Sequence, residues 1–365
     1  MHTKLLARSD IETILLRVGL DALMDQLIDR LRDGFSKADL AQAQIPARSG
    51  LHYTSPDFGL IEWMPANLKQ GKASLKIVGY HPTNPAKRGL PTILSTLSVY
   101  DTRSGHLMGL LDGTLTTALR TGAMSALATE LLGSQRDGLI LGLIGCGAQS
   151  VTQCHALSRL LPIARIVAHD RSPKAAESLG RRTSFLSIPV EPVDHGELTH
   201  LLEASDLICT CTSEEPGRGP LFRDFANRPG LHINAVGCDF PDKFELPVEL
   251  LRRSYVCPDF REQALIEGEC QQLRPEEIGE DIATLLRNPA MAQAQRDQLT
   301  VFDSTGHAFA DYVSALLFLD YANEMQLGAD LEVECIPTDP LNPYSILSPA
   351  VPSPADANRI QRTAT

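Results

Sequence analysis

Apolar residues recur at helical spacing from Ile11 through Ile14, Leu15, Val18, Leu20, Leu23, Met24, Leu27 and Ile28 to Leu31. That pattern predicts a single helix over 10–36, closing near Gly34. Between residues 50 and 112 the pattern shortens to Gly59–Met64, Ala73–Val78, Thr92–Tyr100 and Leu107–Leu111, separated by Pro, Gly and Asn. These runs predict strands of an open sheet or partial barrel. Thr114–Leu132, rich in Ala, Leu and Met without Pro, predicts a helix. From residue 138 the character changes. Leu139–Ile144 is a continuous apolar run, followed at once by a glycine turn and a helical stretch to Leu160. Further short strands are expected at Arg165–His169, Pro189–Val193, Leu207–Thr212 and His232–Val236, with helical stretches between them. Strand and helix alternating at this interval imply a parallel sheet covered on both faces. An amphipathic helix over 308–326 is expected to pack back on the N-terminal part. The Pro-rich stretch from Pro337 reads, over 346–365, as a loosely ordered tail. No internal repeat is evident.

Composition narrows the class. The 365 residues are 43% hydrophobic and 21% charged, ordinary globular values at a length suited to two domains. A net charge of -12 argues against a nucleic-acid partner, which needs a positive footprint. There is no run of about 18 apolar residues to span a membrane. The N-terminus lacks a signal peptide's apolar core and cleavage site, so a cytoplasmic protein is expected. The eight cysteines show neither CxxC nor HExxH spacing, and the expectation is no metal site and reduced thiols filling core space.

The candidate chemistry begins at Gly145-Cys146-Gly147-Ala148-Gln149-Ser150. A glycine turn that follows a strand and opens a helix is built for a dinucleotide. The first glycine permits the tight turn, the second admits the pyrophosphate, and the helix N-terminus offers free N–H groups to the anion. Ser150 stands where a third glycine is usual, and is small enough for helix and strand to pack closely. Asp170, ending the next strand, is placed to accept from the adenosine ribose hydroxyls and to repel a 2′-phosphate, which favours NAD over NADP. Arg171 beside it weakens that preference.

Three strings carry a resemblance: Arg120-Thr121-Gly122-Ala123, Gly142 to Gln149, and Phe302-Asp303-Ser304-Thr305-Gly306. The chain resembles the ornithine cyclodeaminase and mu-crystallin family over about residues 5 to 345. Lys76-Ile77-Val78-Gly79-Tyr80, His232 to Gly237, Gly268 to Leu273 and Asp339 to Tyr344 are most similar to bacterial lysine cyclodeaminases. The resemblance implies an α/β fold: a Rossmann-type doubly wound parallel sheet inserted in an α+β substrate-binding and dimerisation domain. Residues 1–130 would form the first part of that domain and 131–307 the NAD-binding part. Residues 308–345 would return to the first. A homodimer is implied.

A cyclodeaminase oxidises an amino acid at Cα with bound NAD, closes a ring by attack of the side-chain amine, loses ammonia, and takes the hydride back. Its site must clamp an α-carboxylate, move a proton at an ammonium, and keep the distal amine neutral. The resemblance assigns Arg48, Lys76 and Arg120 to the carboxylate and Asp239 to acid/base work, with Lys76 and Glu62 also in the catalytic set. Two structural alternatives stand beside these: Lys76 could snorkel from a strand, and Asp239 could cap a helix beginning near Asp242. Glu62, between large apolar residues, is an acid that can receive or hold a proton from the substrate's distal ammonium, unless it merely faces solvent. Arg120, Thr92, Thr121, Gly145, Gly147, Ala148, Gln149, Asp170, Thr212, Ser213, Val236, Gly237, Asp239, Lys243 and Ser304 are the implied cofactor contacts. Asp303 to Gly306 could instead be a helix N-cap. His81 is a possible pocket residue, while His155 and His169 read as structural. Readings left open are L-lysine to L-pipecolate, L-ornithine to L-proline, a ketimine reductase or amino-acid dehydrogenase, and a mu-crystallin-like NADP or ligand binder.

Overall fold

The structure, a computed structural model, describes residues 1–347 apart from Asp39 and Gln70, so 348–365 of the expected tail lie outside the described residues. Two seven-stranded sheets carry the fold. The first runs in the order Ala329–Leu331, Thr3–Leu5, Leu107–Asp112, Ile93–Asp101, Lys72–Tyr80, Gly59–Asn67, Ser49–Tyr53. It is antiparallel except where Thr3–Leu5 meets Leu107–Asp112. Alternation sorts its side chains: along Gly59–Asn67, Leu60, Glu62 and Met64 are buried while Ile61 and Trp63 are exposed. Register makes the outer face continuous, because Leu51 pairs with Ile61 and Trp63 with Ile77.

The second sheet is wholly parallel, in the order Tyr255–Pro258, Thr300–Asp303, His232–Ala235, Leu207–Thr210, Leu139–Ile144, Ile163–His169, Val190–Val193. Its four central strands are buried almost throughout, as a sheet covered on both faces requires. The direction of strand addition reverses between Leu139–Ile144 and Leu207–Thr210. In open α/β sheets ligands bind at that crevice, beyond the carboxyl ends of the strands. Tyr255–Pro258 and Thr300–Asp303, like Ser49–Tyr53 in the first sheet, are strands that the hydrophobic pattern alone did not indicate.

Two expected elements differ. The helix over 10–36 is two helices, Arg8–Val18 and Leu20–Lys37, parted at Gly19 with φ +83° and ψ 148°. Only glycine adopts that conformation freely, and no neighbour lies within 4 Å of the position a Cβ would take. Gly19→Ala is therefore expected to lower stability by about 1–3 kcal/mol through backbone strain alone. Urea unfolding tests this, and an unchanged midpoint would refute it. The helix Ala308–Met325, expected to be amphipathic, is instead buried on nearly every side. It lies against Leu20–Lys37, Thr114–Leu132 and three strands of the first sheet, so it has no broad face left for water.

All eight cysteines are free, but Cys335 is exposed and Cys211 half-buried, so not every thiol fills the core. Among the described residues no group of His, Cys, Asp and Glu is arranged to hold a metal ion, and no helix is long and apolar enough to cross a membrane.

Candidate active site

The glycine turn leaves the Leu139–Ile144 strand at the crevice. Gly145 has φ +95°, and a Cβ there would meet the Cys211 carbonyl carbon at 2.9 Å, so the turn admits only glycine. Gly147 precedes the helix Ala148–Leu160 without any side-chain cap, and open space lies where its Cβ would be. The first-turn N–H groups of Ala148 and Gln149 are thus free for an anion. Ser150 is buried and its Oγ donates to the Gly147 carbonyl at 2.6 Å. Arg182 holds the turn from below, donating to the Cys146 and Gly147 carbonyls at 2.7 and 3.1 Å.

Asp170 ends the Ile163–His169 strand and accepts from the backbone N–H groups of Cys146 and Ser172, both at 2.7 Å. Those contacts fix the carboxylate beside the turn. Arg171 is engaged elsewhere, 3.0 Å from the buried Glu214. The uncapped helix, the open space over Gly147 and the fixed carboxylate fit a dinucleotide.

Farther along the sheet edge, a residue that sequence reasoning missed ties the strand ends together. Buried Glu245 accepts from Thr210 Oγ1, Thr212 N and Oγ1, and Gly237 N at 2.7–2.8 Å. Burial raises the pKa of its carboxyl, and the Thr210 and Thr212 donors and the Lys243 charge oppose the shift. Thr212 and exposed Ser213 follow one strand, and Val236 and Gly237 the next. Ser304 is joined to Ala235 by a 2.9 Å backbone bond. Helix Thr114–Leu132 brings Thr121 near the turn, since Gln149 donates to the Ala118 carbonyl at 3.3 Å. Thr92 lies just before the Ile93–Asp101 strand of the first sheet, its carbonyl accepting from His81 N.

The charged residues form two linked groups between the sheets. Lys76 Nζ and Arg120 Nε reach opposite oxygens of Asp311 at 2.8 and 2.9 Å. Lys76 is only 2% and Asp311 1% exposed. Lys76 does not snorkel. Burial drives its pKa down to about 7, Asp311 opposing and Arg120 assisting. Burial also works against the Asp311 charge, but Arg120 and Lys76 together hold its carboxyl below the usual range.

In the second group Arg48 lies 2.5 Å from Glu267 and 3.4 Å from Glu62, and donates to the Thr305 carbonyl. Glu62 is buried rather than solvent-facing. Burial, with Glu62 and Asp239 nearby, pushes Glu267 up to about 8 despite Arg48. Asp259 joins the groups by accepting from Thr305 Oγ1 and Gly306 N at 2.9 and 2.6 Å.

Asp239 lies beyond the His232–Ala235 strand, two-thirds buried, and accepts from Lys243 Nζ at 2.8 Å. No helix begins near Asp242, so Asp239 caps none. Nor do Asp303 to Gly306 cap the last helix. Its N-cap is His307, whose Nδ1 accepts from Phe309 N. His81 is bound to Tyr53 Oη at 2.6 Å. His155 pairs with Asp21 and His169 with the Val193 carbonyl, both structural contacts.

Arg48, Glu62, Lys76 and Arg120 are thus gathered with Asp239 beside the nucleotide cradle, while Asp311, Glu267 and Glu245 went unrecognised. One signal for Asp311 was available: it is the lone charge between Ala308 and Leu319, a run otherwise composed for burial.

Known proteins share this fold over most of their length. The L-lysine cyclodeaminase of Streptomyces rapamycinicus is 40% identical over 347 residues, 95% of this chain and 100% of that protein. A solved lysine cyclodeaminase, studied for recognition of L-lysine, L-ornithine and L-2,4-diamino butyric acid, superposes with TM-score 0.91 at 45% identity, covering 95% of this chain and 100% of that one. An archaeal alanine dehydrogenase dimer with bound NAD gives TM-score 0.80 at 29% identity, covering 92% and 100%. The profile of one family matches residues 10–326. The chain belongs to the ornithine cyclodeaminase/mu-crystallin family.

Proposed function

We propose that this protein is an NAD-dependent cyclodeaminase that converts L-lysine to L-pipecolate and ammonia. The observation that carries the reading is Glu62, a buried carboxylate held beside the basic cluster. An amino acid with an apolar side chain needs no acid at its far end. A diamino acid does, because its distal ammonium must lose a proton before it can attack. The 40% identity to a lysine cyclodeaminase supports L-lysine over L-ornithine, and a pocket separates the two by only about 1–3 kcal/mol.

Bound at the glycine turn, NAD would supply a hydride acceptor and donor for the substrate's Cα. Asp170, with Arg171 committed to Glu214, supports NAD over NADP. Arg48, Lys76 and Arg120 would hold the α-carboxylate, and Asp239 would take the proton from the α-ammonium. Lys76, titrating near 7, is able to exchange a proton at working pH. Glu62 would accept from the distal ammonium, freeing the amine to close the ring. Holding both nitrogens in one pocket spares the closure the entropy of a bimolecular encounter.

Leu51, Ile61, Trp63, Ile77 and Leu94 form an exposed apolar face on the first sheet. We assign that face to a homodimer contact in a cytoplasmic enzyme.

The test is incubation of purified protein with L-lysine and trace NAD. Ammonia and pipecolate far exceeding the NAD present are expected. Stoichiometric NADH would replace this reading with a dehydrogenase, and no turnover of any amino acid or cyclic imine with a binding protein.

Carboxylate binding should also take up protons. In the free protein Lys76 is mostly neutral at pH 8.5. An added anion favours its charged form and so raises its pKa. Calorimetry with cyclohexanecarboxylate, in buffers of different ionisation enthalpy, should show uptake of up to about one proton per site at pH 8.5 and little at pH 6. Heats independent of buffer at pH 8.5 would remove Lys76 from the clamp.

A further inference from the structure

The cyclodeaminase reading leaves a proton to be accounted for. Glu62 is buried, and a proton taken from a distal ammonium has to leave it before ring closure is complete. The strand beside it offers an outlet. Ser49–Tyr53 pairs with Gly59–Asn67 so that Gly50 faces Glu62 and His52 faces Leu60. His52 is therefore the diagonal neighbour of Glu62 on the same face. Gly50 keeps the space between them open, since a Cβ there would stand 2.6 Å from Glu62 Cγ.

His52 Nε2 lies 3.5 Å from Glu62 Oε1, while Arg48 is near the other oxygen, Oε2, at 3.4 Å. The two carboxylate oxygens thus have different duties: one faces a fixed cation, the other an imidazole. The His52 side chain is 46% exposed although Glu62 is 5% exposed, so the pair runs from the buried site to the surface. Phe240, next to Asp239, packs on the His52 ring with centroids 5.0 Å apart and keeps it beside the carboxylate. Arg48, just before the Ser49–Tyr53 strand, faces Glu62, and Arg48 in turn is faced by Glu267, Asp259 and Asp239, the last paired with Lys243, from the segment across the crevice.

We propose that His52 relays the proton between Glu62 and solvent during ring closure. This rests on the cyclodeaminase reading. The substrate's distal R–NH3+ gives a proton to the Glu62 carboxylate and becomes R–NH2. Glu62 passes that proton to the neutral imidazole and is restored as a carboxylate. The imidazolium then releases it to water. The account closes without an added reactant. L-lysine enters as a monocation, and zwitterionic pipecolate leaves with NH4+, so the proton lent to solvent returns with the products. Imidazole is suited to this work because it can accept and give a proton near neutral pH, and 3.5 Å is bridged by a small ring movement or one water. His52 acts through Glu62, so it is a positioning residue rather than one that touches substrate.

The experiment measures kcat and KM for L-lysine from pH 6 to 10 in the wild type, His52→Gln and His52→Ala. Both variants should lose about 10- to 100-fold in kcat at neutral pH, with KM within about threefold. Their kcat–pH profiles should lose a limb that the wild type has, and added imidazole should restore His52→Ala in proportion to its free base. Wild-type profiles in both variants, or a fall in rate that imidazole does not touch, would overturn the relay while leaving the cyclodeaminase reading intact. If the wild type itself releases no ammonia from L-lysine, both fall together. His52→Gln keeps a polar side chain at this exposed position and guards against misfolding.

Discussion

Asp239→Asn is expected to lower kcat for L-lysine by about 10³-fold, roughly 4 kcal/mol in the barrier, without loss of NAD. The carboxylate stands just beyond the His232–Ala235 strand, beside the crevice, with one oxygen on Lys243. The amide retains an oxygen for Lys243 Nζ but cannot act as a base at the α-nitrogen. Asp239→Ala should abolish turnover as well. It also leaves the nearly buried Lys243 without its partner, so the asparagine variant separates chemistry from packing. Steady-state rates with equilibrium dialysis of NAD make the comparison. A kcat within tenfold of wild type would withdraw Asp239 from acid/base work.

Asp311→Ala should be the most destabilising single change in the site, by about 3–5 kcal/mol. It strands two buried cations, Lys76 at 2% and Arg120 at 5% exposure, without the carboxylate they share. Lys76 can shed its proton, because its pKa is already near 7. Arg120 cannot. Adding Lys76→Met should therefore recover only part of the loss. Urea unfolding of the single and double variants measures both effects. A loss below about 1 kcal/mol for Asp311→Ala would mean that water reaches the guanidinium.

The contrast between what the chain revealed and what it hid has physical causes. Strands such as Leu139–Ile144 were legible to the residue because a fully buried strand is apolar at every position and is cut off sharply by Gly145. Helix Thr114–Leu132 was equally plain. Gly19 passed unnoticed because a glycine within a helical pattern usually costs only about 1 kcal/mol and is tolerated. Its positive φ is a tertiary fact: Leu20–Lys37 must turn its Leu23, Leu27 and Leu31 stripe onto the core. Helix Ala308–Met325 carries Asp311 and Asp320 nine residues apart, on opposite sides, so they do not mark one wet face. Asp320 does meet Arg30 at a half-exposed position, but Asp311 faces buried cations.

The site was legible where one residue type has one plausible task, as at Gly145, whose φ of +95° admits only glycine. It was obscure where acids serve other residues. Glu245 touches only hydroxyls and backbone N–H groups, and Glu267 touches Arg48. Nothing in sequence spacing distinguishes such carboxylates from solvated ones.

Synthesis on the ribosome gives the last helix another significance. Arg120 and its counter-charge Asp311 are 191 residues apart. At 5–20 residues per second the basic cluster emerges roughly 10–40 s before the acid that neutralises it. Until then the strands bearing Lys76 and the helix bearing Arg120 cannot close into a dry interior. The Lys76–Arg120–Asp311 group is thus completed only when the Ala308–Met325 helix emerges, after the strands between residues 139 and 303 have already been made.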